Sequence, residues 1–350
     1  MIGAHYFVIM TIRRIFRIDK AGNFKRLKQV KEKLADPAPG EVQIDIMAIG
    51  LNFADIFAVL GLYGATPQGR FVPGLEYAGV ISKKGTGVTA YEIGDRVMGV
   101  TRFGGYATHL NIGSEYITPI PEKWSFQEGA AFLVQALTAY YALFKLGHIK
   151  ANDTVLIHSA AGGVGLQANR MARCVGAYTI GTVGTANKVP LLEREGYKDY
   201  LVRGSDFKKH LEKKLKGREL NIVMECIGGK VLKAGYDLLA PQGRMICYGS
   251  ARYGSRRDTP NWLRLAWLYL TRPKIDPQKM IESNKAVLGF NLIWLYEKKE
   301  LLAEILHEMQ QLDLPAPFIG HEFDFDALKE ALRFFQTGKS TGKIVINVQN

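Results

Sequence analysis

The chain has 350 residues, 47% of them hydrophobic and 23% charged, with 46 Lys and Arg against 33 Asp and Glu for a formal charge of +13. That length exceeds the usual single domain, so two domains are expected, and the composition excludes a chain disordered over most of its length. The 37 glycines are scattered without a period, which excludes a fibrous or low-complexity protein.

At the start, Met1–Ile9 is apolar but too short for a signal-peptide core, and Arg13, Arg14 and Arg17 follow it on the wrong side for secretion. Met10 is a candidate start, which leaves open whether residues 1–9 belong to the native protein. Glu41–Ile49 alternates polar and apolar residues like a half-buried strand. Pro73-Gly74, Gly85-Thr86-Gly87 and Gly94-Asp95 then divide further short strands, an all-β pattern lasting to about residue 125.

From about residue 135 the period changes. Strand Thr154–His158 precedes a glycine cluster and a helix over Leu166–Val175, and strand Tyr178–Val183 follows. Helices over Val189–Glu195, Phe207–Leu215 and Val231–Leu239 alternate with strands Tyr200–Val202, Asn221–Glu225 and Arg244–Tyr248. This alternation predicts a parallel doubly wound sheet, a Rossmann domain over 135–284. Residues 285–350 are mixed and end in strand Lys343–Val348; they are expected to rejoin the β domain of residues 10–134.

Charge is unevenly shared: residues 1–134 contribute +3, residues 135–284 contribute +12 and residues 285–350 contribute −2. A solvated lysine-rich surface explains part of the excess, and a phosphorylated cofactor suits the rest. RNA binding is permitted by the charge, but no aromatic–basic recognition motif supports it. Cys174, Cys226 and Cys247 form no C-x-x-C pair, so neither a four-cysteine zinc lobe nor a disulfide framework is expected. That usage fits a reducing compartment, and no apolar run approaches the roughly 20 residues that span a bilayer, so a cytoplasmic protein is expected.

Strand 154–158 runs into Ser159-Ala160-Ala161-Gly162-Gly163-Val164-Gly165 and then a helix, the context a dinucleotide loop requires. Glycines let the backbone approach a pyrophosphate, and the helix N-terminus offers free N–H groups. An NAD site wants an acid about 20 residues on, for the ribose 2′-hydroxyl. Here that stretch reads Gly181-Thr182-Val183-Gly184-Thr185-Ala186-Asn187-Lys188, with no acid until Glu193. Lys188, with Arg203 beyond the third strand, makes a pocket for a 2′-phosphate, so NADPH is favoured. Ala161, Gly162, Gly163, Val164, Gly165, Gly184, Asn187, Lys188, Arg203, Gly249 and Phe290 are the candidate cofactor contacts.

Gly50-Leu51-Asn52-Phe53-Ala54-Asp55, Gly61-Leu62-Tyr63, Pro73–Val80, the Ala160–Gly165 loop and Gly181–Thr185 resemble the zinc-independent quinone oxidoreductases of the medium-chain dehydrogenase/reductase superfamily. Asn284–Leu292 and the Trp-bearing stretch before it look like the branch of vesicle amine transport protein homologues. The resemblance implies a GroES-like β domain, completed by the C-terminal segment, beside the Rossmann domain. It also places Asn52, Asp55 and Thr138 around nicotinamide and substrate, and makes Tyr63 a candidate donor to a developing oxyanion. Asn52 and Asp55 could equally cap the helix starting there, and Tyr63 could simply pack. Zinc members carry a cysteine near Asn52 and Gly-His-Glu where this chain has Gly74-Leu75-Glu76, so no metal is expected. Phe57 stands where many quinone reductases have tyrosine, which suggests a greasier pocket.

The implied reaction is hydride transfer from NADPH to a quinone or an α,β-unsaturated carbonyl, whose charge develops on oxygen. The alternative is a cofactor-binding protein acting at a membrane or vesicle surface with little turnover. Residues 251–283 bear on it: Arg252, Arg256, Arg257, Arg264, Arg272 and Lys274 surround the apolar run Trp262–Leu270. That run reads as a lid or a homodimer contact, or as a membrane-surface helix contacting lipid through Trp262 and Trp267.

Overall fold

A computed structural model describes residues 11–348; the expectations for Met1–Met10 lie outside them. The described chain forms two compact units. The first runs up to Ala130 and adds Phe323–Ala331 and the residues from Val345; the second comprises Ala131–Glu322 and Leu332–Ile344. The segment 285–350 is therefore shared: Ala286–Gly289 is a strand of the parallel sheet, whereas Val345–Asn347 pairs with Ala48–Gly50 in the antiparallel one.

The antiparallel sheet has strand order Ile319–Asp324, Lys343–Asn347, Glu41–Gly50, Glu76–Lys84, Arg96–Val100, Ile117–Pro119, with His109–Gly113 also paired to Glu41–Gly50. A separate hairpin pairs Thr11–Ile18 with Leu27–Leu34. The alternation read in Glu41–Ile49 puts Val42, Ile44, Ile46 and Ala48 in the core, all fully buried. One short helix, Phe53–Val59, interrupts the β pattern.

The second unit is built on a six-stranded parallel sheet in the order Asp199–Val202, Tyr178–Val183, Thr154–Ile157, Leu220–Glu225, Leu239–Cys247, Ala286–Gly289. Numbered along the chain these strands stand 3-2-1-4-5-6, the dinucleotide-binding order, so strand order reverses between Thr154–Ile157 and Leu220–Glu225. The helices cover the sheet with apolar stripes. In Phe207–Leu215, Phe207, Leu211 and Leu215 recur one turn apart and pack on Leu156, Ile180, Val223 and Met245, while Lys208, Lys209 and Lys213 point outward. Burying each such side chain is worth about 1.5–3 kcal/mol. That helix ends where Lys216 and Gly217 take positive φ.

Candidate functional site

At the carboxyl end of the first parallel strand the chain turns through Ser159, at φ 52°, and enters the helix Gly163–Cys174 with Gly162 as its extended N-cap. The helix starts three residues earlier than its apolar period indicates, so Gly163, Val164 and Gly165 form its first turn. A Cβ on Gly165 would lie 2.7 Å from both Ala160 Cα and Ser159 O, so only glycine lets the helix press this closely on the loop. Tyr197 donates its hydroxyl to Gly165 O at 2.7 Å, and Ala160 N–H donates to Thr182 O at 3.0 Å. Gly342 N–H donates to Ala161 O at 2.7 Å. The loop is thus held from behind, and the first N–H groups of the helix are left for an anion.

The acid-free turn follows the second strand. Gly184, Thr185, Ala186 and Asn187 are exposed, and Thr185 Oγ1 donates to Asn187 Oδ1 at 2.5 Å. Lys188 is partly buried and donates to Gly338 O at 2.7 Å and Ser340 O at 2.6 Å. Burial, then the Arg203 charge, lowers its pKa. The 338–342 segment therefore approaches both the phosphate loop and Lys188, a partnership that sequence reasoning missed. The one local signal was the glycine pair at 338 and 342, both at positive φ.

Arg203 sits beside this turn. Its backbone N–H donates to Val183 O at 2.9 Å, and its Nη1 donates to Thr182 O at 3.2 Å and Thr182 Oγ1 at 3.1 Å. Its Nη2 lies 3.3 Å from where a Cβ of Gly184 would stand, so the turn and the guanidinium are in register. Small neutral residues with two cations fit a 2′-phosphate and leave a bare ribose hydroxyl without its acid.

Beneath Arg203 lies a polar cluster. His158, fully buried, has its Nδ1 2.8 Å from Thr182 Oγ1 and its Nε2 3.4 Å from Glu225 Oε2. Burial, reinforced by Arg203, pushes the imidazole pKa down to about 3, so the ring is neutral. Glu225 is 1% exposed, and its Oε1 accepts the N–H groups of Ile227 and Gly228. Burial raises its pKa, while those N–H groups and Arg203 oppose the rise. Burial raises the Cys226 thiol as well.

The catalytic candidates fall in both units. Asn52 caps the helix Phe53–Val59, and Asp55 at its third position accepts the Asn52 N–H at 2.8 Å. The same Asp55 Oδ2 accepts the Tyr106 hydroxyl at 2.8 Å. Burial, with Asp55 adding to it, raises the Tyr106 pKa well above its ordinary value. Tyr63 is partly buried, with its carbonyl taken by the Thr66 N–H and hydroxyl. Phe57 packs edge-on against Phe53. Thr138 is buried in the second unit and donates to Val134 O at 2.6 Å, so its hydroxyl is left as an acceptor.

Of the remaining cofactor candidates, Gly249 packs over Cys226, where a Cβ added to the glycine would lie 3.2 Å from the Cys226 Cβ. Phe290 packs on Tyr141 and Tyr248 with ring centroids at 5.0 and 6.3 Å. A polar hollow of about 480 Å³ lined by Asp153, Tyr178, Lys198, Arg218 and Asn221 opens at the opposite, amino-terminal ends of the strands. It is remote in the fold from the loop that carries the chemistry.

In the helix Trp262–Leu270 only Leu265 is buried; Trp262 is 66%, Leu263 87%, Trp267 67% and Leu270 73% exposed. Arg264 folds back on Gly254 O and Arg252 O, and Arg272 lies 3.6 Å over the Tyr269 ring. No helix among the described residues is long and apolar enough to cross a membrane. Nor do those residues gather three His, Cys, Asp or Glu side chains that could hold a metal ion.

Residues 38–122 match the family model "Alcohol dehydrogenase GroES-like domain", and residues 163–305 match "Zinc-binding dehydrogenase". The chain belongs to the medium-chain dehydrogenase/reductase superfamily. Within it the chain is similar to the human synaptic vesicle membrane protein VAT-1 homolog, at 33% identity over 93% of this chain and 84% of that protein. Among solved structures, the CurK enoyl reductase superposes with a TM-score of 0.83 at 25% identity, covering 96% of this chain and 99% of that one. The Escherichia coli quinone oxidoreductase complexed with NADPH superposes with a TM-score of 0.80 at 26% identity, covering 96% and 100%.

Proposed function

We propose that the chain is an NADPH-dependent oxidoreductase that delivers hydride to a quinone or an α,β-unsaturated carbonyl without a metal ion. The observation carrying this reading is the phosphate loop followed by an acid-free turn, with Lys188 and Arg203 on its border. Similarity to a quinone oxidoreductase complexed with NADPH and to an enoyl reductase supports it.

The helix Gly163–Cys174 offers its first N–H groups and dipole to the pyrophosphate; Lys188 and Arg203 hold the 2′-phosphate. When bound, NADPH supplies the hydride. Tyr63 donates a hydrogen bond to the oxygen on which charge develops, and Asn52 orients the acceptor. Thr138, its proton committed to Val134 O, can only accept, which suits a carboxamide N–H. Asp55 supports Asn52 by accepting its backbone N–H, and holds Tyr106 beside it.

The test is NADPH oxidation followed over a panel of quinones, enals and enones. Turnover with at least one class, faster with NADPH than NADH, is expected. No oxidation across the panel overturns the enzyme reading.

A second reading, action at a membrane surface, is favoured by the exposed Trp262, Leu263, Trp267 and Leu270 beside basic residues. Co-sedimentation with anionic liposomes that is lost when both tryptophans become serine supports it; no sedimentation removes it.

A further inference from the structure

We infer that Thr182 and His158, hydrogen-bonded to one another and backed electrostatically by Glu225, form a directional chain that positions Arg203 for the cofactor's 2′-phosphate. This rests on the NADPH reading above and deepens it: selectivity for the phosphorylated cofactor depends on buried residues that never touch it.

The direction of the chain follows from which groups can donate. Arg203 has only donors, so at 3.1 Å its Nη1 occupies a lone pair of Thr182 Oγ1. The other hydrogen-bond neighbour of that hydroxyl is His158 Nδ1 at 2.8 Å, and only a proton pointed at Nδ1 leaves this buried O–H paired. Nδ1 therefore accepts. A neutral imidazole with an accepting Nδ1 carries its proton on Nε2. Nε2 faces Glu225 Oε2 at 3.4 Å, an electrostatic approach rather than a formed hydrogen bond, since both buried atoms lack a hydrogen-bond partner. The carboxylate ends the chain, its second oxygen taking the N–H groups of Ile227 and Gly228, where Gly228 has φ 86°.

The placement gives this chain its use. His158 and Glu225 follow or end the two strands between which strand order reverses, where a dinucleotide crosses the sheet. The buried end is anchored by backbone. The other end is a guanidinium with Nη1 fixed and Nη2 lying against the exposed turn at Gly184. A long arginine left to itself samples many rotamers; one held through Nη1 loses less freedom on meeting a phosphate. Thr182 and His158 are thus positioning residues, and Arg203 is the binding one.

Two measurements test this. The first is calorimetric binding of 2′,5′-ADP and of 5′-ADP to the full chain and to Thr182→Val, Thr182→Ser and Arg203→Gln. Thr182→Val keeps shape and charge but removes the hydroxyl. It should weaken 2′,5′-ADP about fivefold and 5′-ADP less than about twofold, with Thr182→Ser restoring the difference. Equal weakening of both ligands, or none, overturns the positioning role. If Arg203→Gln binds both ligands as the unaltered chain does, the NADPH reading itself fails; if Arg203→Gln loses 2′,5′-ADP while Thr182→Val does not, only the chain fails.

The second needs no folding variant at this site. Selective ¹⁵N-histidine labelling, with the ring signals of His158 assigned through its backbone, should show an acceptor Nδ1 and a protonated Nε2. The opposite tautomer overturns the proposal.

Discussion

Two buried carboxylates, one in each unit, make a useful pair. Asp55 and Glu225 are 0% and 1% exposed, and each accepts backbone N–H groups close in sequence. Asp55 holds scaffold: it accepts from the N-cap of its own helix and from the hydroxyl of fully buried Tyr106. Around Glu225 the contacts run outward through His158 and Thr182 to Arg203, a cation bordering an exposed turn. Burial alone therefore does not distinguish a carboxylate that holds a fold from one whose charge reaches a ligand. What distinguishes them is where the partners lead.

The comparison breaks most sharply with pH. His158 is held neutral in the fold, its pKa near 3 against an ordinary value of 6.5. The unfolded chain takes up that proton below about pH 6.5, so the stabilisation is present above 6.5 and is lost as pH falls towards 3. The limit is roughly 5 kcal/mol, arriving at about 1.4 kcal/mol per pH unit once below 6. Urea unfolding at stepped pH should show this slope, and His158→Gln should flatten it. In the Asp55 cluster, by contrast, Tyr106 costs stability only above about pH 10, where the unfolded chain would ionise.

Asp55→Ala comes next. It removes the cap and leaves the Tyr106 hydroxyl buried without its acceptor, which together should cost about 3 kcal/mol. Chemical denaturation measures it. If Asp55 serves the scaffold, 2′,5′-ADP affinity at temperatures where the variant is folded stays unchanged. Unchanged stability would break the contrast with Glu225. Gly165→Ala follows at about 2 kcal/mol, because the new Cβ meets backbone at 2.7 Å and the loop must move. Here stability and 2′,5′-ADP affinity should fall together; a variant that lost stability but bound normally would separate helix packing from the anion site.

Much of the Rossmann unit was legible because each element carries its own period. Phe207, Leu211 and Leu215 mark one helix face, and Thr154–Ile157 is apolar on both faces as a central parallel strand must be. The loop was legible through its strand–turn–helix context despite alanine at 160. The helix start was misplaced because glycines carry no apolar period. What could not be read was long-range: that Tyr106 reaches Asp55 across 51 positions, that Ser340 reaches Lys188 across 152, and that His158 meets Glu225. Such pairs are set by strand order and by backbone carbonyls, which look alike in every residue. The division of segment 285–350 has the same origin, since Ala286–Gly289 is short and its pairing with Arg244–Cys247 is non-local.

Lys188 offers the finest test of the contrast, because it combines scaffold and ligand roles in one side chain. Its amine already donates to Gly338 O and Ser340 O, so a purely structural lysine would be satisfied where it stands. An ammonium has three donors, and two carbonyls leave the third for an anion. Lys188→Gln keeps one amide donor for the 338–340 segment and removes the charge. If the third donor serves a 2′-phosphate, the variant should lose about fivefold in KM for NADPH, roughly 1 kcal/mol, with KM for NADH nearly unchanged. If the lysine only ties down that segment, which also holds the phosphate loop through Gly342, both cofactors should weaken together. The ratio of the two KM values decides between them, and an unchanged ratio would leave Arg203 as the sole cation discriminating the phosphate.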